Sequence, residues 1–153
     1  MLQFIILEEI EVKLDKAAIL IKKAALEFDK ISIPILGPYD LTDSQYKVIK
    51  FILAKAPQGV RLADLEKYFS MTHPTAIGIV QNLQKKGLAQ NAENPHDARS
   101  HYIVPTEKAL AMREELTTVG NRLEAELTKN LTEIERKRLV SLLRKMLAIN
   151  GED

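Results

Sequence analysis

From Leu2 to Phe28 apolar residues recur three and four positions apart, at Leu7, Ile10, Leu14, Ala17, Ala18, Ile21, Ala25 and Phe28. Lys13, Lys16, Lys22 and Lys23 fall elsewhere on the helical wheel. The period matches a helical turn, so the pattern predicts one long helix with a single apolar face. Pro34, Gly37 and Pro38 are expected to break it. Thr42 and Gln45 then have the spacing of a capping box and open a second helix to about Ala54, which Pro57, Gln58 and Gly59 end. Two short helices are expected next, Arg61 to Phe69 and His73 to Lys86, separated by Ser70, Met71 and Thr72. Pro74 suits the first turn of the later one, where its missing N–H is not needed, and Gly87 stands where a left-handed C-cap would go.

Beyond Gly87 the pattern changes to a short strand, a polar loop through Pro95 carrying Asp97 and Arg99, and a second strand ending before Thr106. Thr106 caps a further helix with Leu116, Val119, Leu123 and Leu127 in a narrow stripe. Thr132 and Glu135 form another capping box before a last helix bearing Leu139, Leu142, Leu143, Met146 and Leu147. The fold class is mainly α with a small β-wing: a winged helix-turn-helix with long N- and C-terminal dimerisation helices. The expected division is a winged helix-turn-helix over 37–105 and a helical dimerisation region over 1–36 and 106–153. The long helices carry apolar faces that the compact middle cannot cover, and a second copy of the chain is the cheapest cover.

Composition narrows the chemistry. With no cysteine, disulfides and thiolate metal sites are excluded. The apolar run Leu2–Leu7 has no basic segment before it, and Glu8, Glu9 and Glu11 follow at once, so neither a signal peptide nor a membrane span is expected and the chain reads as cytoplasmic. Net charge is only +1, and residues 58–104 hold five basic against four acidic side chains. Any nucleic-acid function must therefore rest on placed charges and not on bulk charge. His73, His96 and His101 do not have the convergent spacing of a metal site, and no phosphate loop, catalytic carboxylate pair or activated nucleophile stands out. No cofactor, metal or enzymatic activity is expected.

Leu41, Thr42 and Gln45, Leu62-Ala63-Asp64-Leu65, Leu83-Gln84-Lys85-Lys86-Gly87-Leu88, the wing from Asn94 to Ser100 and Pro105-Thr106-Glu107-Lys108 follow one another in a continuous register. In these residues the segment Leu41 to Ala109 resembles the MarR family of bacterial transcriptional regulators. It implies a homodimer that sets two recognition helices, here His73 to Lys86, in successive major grooves of a palindromic operator in double-stranded DNA, with each wing at a minor groove. It also implies a repressor modulated by a small-molecule effector held between the dimer helices and the winged domain. Tyr39 and Tyr46 offer polar tips on an apolar wall for such an effector, with ordinary packing as their other reading. The chain departs from the family at Ile77 and Gly78, where a polar and a basic residue are frequent, at Ala98, which replaces a second wing arginine, and at Gln90-Asn91.

The helical wheel sends Ala76, Ile79, Val80 and Leu83 inward and leaves Pro74, Gly78, Gln81, Asn82 and Lys85 outward, with Thr75 and Ile77 at the edges. Gln81 and Asn82 suit adenine edges, Ile77 thymine methyls, and Thr75 and Lys85 phosphates. Arg99 suits the negative potential of a narrow minor groove, and Asp97 is expected to hold its guanidinium. The alternative function is a winged-helix protein-interaction module with weak or no DNA binding, favoured by the few cations between Gly59 and Val104.

Overall fold

A computed structural model describes residues 16–94 and 96–150. The expected helical turns through Leu7, Ile10 and Leu14 lie outside the described residues. Helix α1 spans Ala17–Leu36, and a 3₁₀ turn, Gly37–Tyr39, leads to α2, Asp43–Ala54. Helices α3, Leu62–Phe69, and α4, His73–Lys85, form the helix-turn-helix. Strands β1, Ala89–Asn94, and β2, Asp97–Pro105, form the wing. Helix α5, Glu107–Ala111, runs through a kink at Met112 into α6, Arg113–Leu127, and α7, Glu133–Met146, completes the described chain.

Pro34 does not end α1 as expected; the helix continues to Leu36. Proline inside a helix costs about 3 kcal/mol, but here it sits in the last turn. The residues gained, Ile35 and Leu36, are both buried, and two buried aliphatic side chains contribute about 3–6 kcal/mol. Tertiary burial therefore outweighs the local rule, and the break comes at Gly37 and Pro38.

The capping expectations hold in detail. The Gln45 N–H donates to Thr42 Oγ1 at 3.2 Å and the Thr42 N–H donates back to Gln45 Oε1 at 3.3 Å. Thr132 and Glu135 repeat the exchange at the start of α7, at 3.2 and 2.8 Å. Gly87 has φ +70°, and the Leu88 N–H reaches the Leu83 carbonyl at 2.9 Å, which closes α4 and turns the chain into the wing.

The wing pairs antiparallel, with Ala89 opposite Pro105, Asn91 opposite Ile103 and Glu93 opposite His101. Val60, just before α3, adds one bridge to Ile103, with N···O distances of 2.9 and 2.7 Å. Gly59 permits that approach: its φ is +82°, and a Cβ there would stand 2.8 Å from the Ile103 carbonyl oxygen. The third edge of the wing was not foreseen, because a single bridged residue carries no periodicity.

Ile49, Ile52, Leu65, Leu83, Val60 and Leu116 are almost fully buried around α2, which forms the centre of the core. The core includes Leu36 from α1 and Leu116, Val119 and Leu123 from α6, so the inner ends of the long helices share it with the winged segment. The outer parts of these helices do not. Helix α7 has no buried residue; Ile134 is 80% exposed and Leu142 58%. Leu20, Ile21, Phe28, Leu127, Leu139 and Met146 line an open apolar groove of about 700 Å³ between α1, α6 and α7. No helix among the described residues is long and apolar enough to cross a membrane.

Candidate nucleic-acid interface

Helix α4 presents two faces. Ala76, Val80 and Leu83, spaced four and three apart, are buried against the core, with Ile79 half-buried beside them. Thr75, Gln81, Asn82 and Lys85 are exposed, and Ile77 is half-buried. Of the set expected outward, Pro74, Gln81, Asn82 and Lys85 are exposed and Gly78 is half-buried, and the inward set anchors the helix.

At the start of α4, Thr75 Oγ1 lies 2.9 Å from Thr72 Oγ1, and His73 Nδ1 lies 2.7 Å from Glu66 Oε1 on α3. The His73–Glu66 contact joins the two helices of the helix-turn-helix, whereas the Thr72–Thr75 contact lies within the start of α4. Among the described residues no three His, Asp or Glu side chains come together as a metal site.

At the other end of α4, Lys86 is taken up by structure. Its Nζ donates to Gln45 Oε1 at 2.7 Å and to the Asp40 carbonyl, with the Asp40 carboxylate 3.7 Å away. Asp40 adopts a left-handed conformation, φ +54°, and Gln45 is the buried half of the α2 capping box. Lys86 therefore locks the recognition helix to the start of α2, and the exposed cations at this end are Lys85 and Lys108, whose Nζ donates to the Lys86 carbonyl at 3.1 Å.

In the wing, Asp97 Oδ1 accepts the Arg99 backbone N–H at 2.9 Å, so the Asp97 carboxylate shapes the turn at Arg99 and not the guanidinium as expected. An Asx-type bond of this kind fixes local backbone direction. Arg99 is exposed on the ribbon.

A cleft of about 230 Å³ separates α4 from the wing. Its floor includes Ile77, Val80 and Ile103, and Gln81, Gln84, Asn91 and His101 stand at it. Gln84 Nε2 donates to Asn91 Oδ1 at 3.1 Å across the cleft. The sequence reading did not bring Gln84, Asn91 and His101 together at one cleft. The signal for Gln84 was present, since Ile77, Gln81 and Gln84 share one helical stripe; that this stripe meets the wing is tertiary information.

Near the wing base, Asp64 closes the start of α3 by accepting from the Arg61 backbone at 2.8 Å and from its guanidinium at 3.2 Å. Partial burial alone would push the Asp64 carboxyl up, but the Arg61 backbone and side-chain bonds hold it below the usual aspartate range. Tyr39 and Tyr46 both bond to neighbouring residues of α6. The Tyr46 hydroxyl is buried and donates to the Leu116 carbonyl at 3.0 Å, and burial raises its pKa. Tyr39 donates to Glu115 Oε1 at 3.1 Å, and that bond raises its pKa.

Residues 39–100 match the model of the MarR family. The multiple antibiotic resistance protein MarR of Escherichia coli (strain K12) is 32% identical over 120 residues, which cover 78% of this chain and 82% of that protein. The chain belongs to the MarR family. This is a family of transcriptional regulators. Among solved structures of the family, a mutant Escherichia coli MarR complexed with operator DNA is similar at TM-score 0.77 and 29% identity, covering 88% of this chain and 96% of that one. Bordetella bronchiseptica BpsR, from a structure on the regulation of its DNA binding by 6-hydroxynicotinic acid, shares the fold at TM-score 0.78 and 23% identity, over 90% of this chain and 96% of that one.

Proposed function

We propose that this MarR-family chain is a dimeric DNA-binding transcriptional regulator, a repressor modulated by a small-molecule effector, and that it acts in the cytoplasm without enzymatic activity. The observation that carries the reading is the pairing of an exposed polar face on a firmly anchored α4 with an exposed arginine on the adjoining wing. Gln81 and Asn82 read base edges in the major groove, Ile77 contacts thymine methyls, and Thr75 and Lys85 hold phosphates. Arg99 enters the minor groove from a turn that Asp97 shapes. Residues 37–105 carry the DNA-reading role, and 1–36 with 106–153 carry dimerisation.

The apolar groove between α1 and α7 supports the dimer, because a patch of this extent on a soluble chain calls for cover. Two-fold symmetry then presents two recognition helices to a palindromic operator, whose half-sites one turn of DNA apart are about 34–36 Å from centre to centre. An effector acts only if it binds one spacing of those helices better than the other. Tyr39 and Tyr46 remain the proposed effector-facing residues at the α1–α2 junction, where both hydroxyls bond to α6. Selection of bound fragments from genomic DNA tests the function: enrichment of a palindromic site supports it, and enrichment of nothing refutes it.

A protein-interaction module is the second reading. It is favoured by the withdrawal of Lys86 into structure, which leaves a face already poor in cations poorer still.

A further inference from the structure

Asn91 on β1 bonds to Gln84 on the recognition helix across the cleft. Elsewhere the wing is tied to α4 at its base: the Leu88 N–H reaches the Leu83 carbonyl, Thr106 Oγ1 donates to the Gly87 carbonyl at 2.6 Å, and the Thr106 N–H reaches the Leu88 carbonyl at 3.1 Å. A ribbon fixed only at its base pivots about that base. The Gln84–Asn91 bond lies farther out, level with Ile103, where Val60 bridges the opposite edge. The two groups hold the ribbon from both sides at the same level. Both amides stand at the cleft with His101, on the apolar floor of Ile77, Val80 and Ile103, which fixes their separation.

We propose that the Gln84–Asn91 bridge is a positioning strut that sets the angle between the recognition helix and the wing, so that Arg99 and α4 engage one DNA site together. Gln84 is thus a positioning residue and does not read bases. The inference rests on the DNA-binding reading above. It predicts an energetic link between residues that do not touch: Ile103 and Arg99 are four residues apart along β2, roughly 13 Å at about 3.3 Å per residue. Substitutions at that separation ordinarily add.

The experiment is a double-mutant cycle in DNA affinity, read by fluorescence anisotropy on the fragment most enriched by the wild-type protein. In the wild-type background Arg99→Ala weakens binding. In the Gln84→Ala or Asn91→Ala background the same substitution costs less, by about threefold or more, the scale of one neutral hydrogen bond. The exchanged pair, Gln84→Asn with Asn91→Gln, restores both the bridge and the full Arg99 effect, which a purely structural role would not require. Thermal melting checks that each variant is folded. If wild-type protein enriches no DNA, the DNA reading fails and the strut falls with it. If wild-type binds and Arg99→Ala costs the same in every background, or the exchanged pair restores nothing, the strut alone is overturned.

Discussion

Gly120 lies in α6 where that helix crosses α2, and a Cβ built there would fall on the Tyr46 hydroxyl oxygen, far inside van der Waals contact. The next nearest atom, Tyr46 Cζ, is 3.6 Å away, an ordinary contact. Two effects of opposite sign therefore compete in Gly120→Ala. Helix propensity favours alanine by up to about 1 kcal/mol. Displacing a buried ring costs about 1–3 kcal/mol. Losing the Tyr46–Leu116 bond adds about 0.5–1.5 kcal/mol. The net expectation is destabilisation by about 1–3 kcal/mol. Tyr46→Phe alone costs about 0.5–1.5 kcal/mol for the same bond. In the double variant the oxygen is gone, the alanine fits, and its helix propensity offsets the lost bond, so stability returns to within about 0.5 kcal/mol of wild type. Urea denaturation at fixed protein concentration measures all four members of the cycle. Additive losses would refute the packing argument, and with it the placement of α6 against α2 that joins the winged segment to the long helices.

Thr42→Ala removes one arm of the α2 capping box and is expected to cost about 1 kcal/mol in the same denaturation assay. Leu142→Glu places a charge in the exposed groove face of α7; the expected result in sedimentation velocity is a shift from dimer to monomer, and unchanged sedimentation would exclude this face from the interface. Asp64 has a folded-state pKa below its unfolded value of about 3.9, so its contribution to stability is full at neutral pH and is lost as pH falls through the folded value. Asp64→Ala is therefore destabilising at pH 7 and approaches wild-type stability in acid, with a small amplitude because water reaches the pair; a loss independent of pH would contradict the assignment.

The parts of the fold that were legible in the chain are those governed by local backbone chemistry. Thr42 with Gln45, Thr132 with Glu135 and Gly87 past a last turn each satisfy a backbone group within a few residues, and Pro74 in a first turn leaves no N–H to satisfy. Ala76, Val80 and Leu83 were legible because burial imposes the helical period. What escaped depends on elements distant in sequence meeting in space. Pro34 was overridden by the burial of Ile35 and Leu36. The long helix after Thr106 kinks at Met112, whose N–H is shared between the Lys108 and Ala109 carbonyls at 3.2 and 3.1 Å. Lys86 is held by the Asp40 turn, which stands 46 residues earlier in the chain. Asp97 two residues before Arg99 bonds to its backbone N–H, which residue spacing does not distinguish from the guanidinium.

The central claim is that one exposed arginine per wing works with α4 on DNA, and the salt dependence of binding tests it most directly. Anisotropy titrations of wild type and Arg99→Ala against the enriched fragment, across a range of salt, give the slope of log K against log salt. The expected result is a weaker Arg99→Ala complex whose slope is shallower by about one for each wing that has lost a cation, roughly two for a dimer. Equal affinity and equal slope for the two proteins would contradict it.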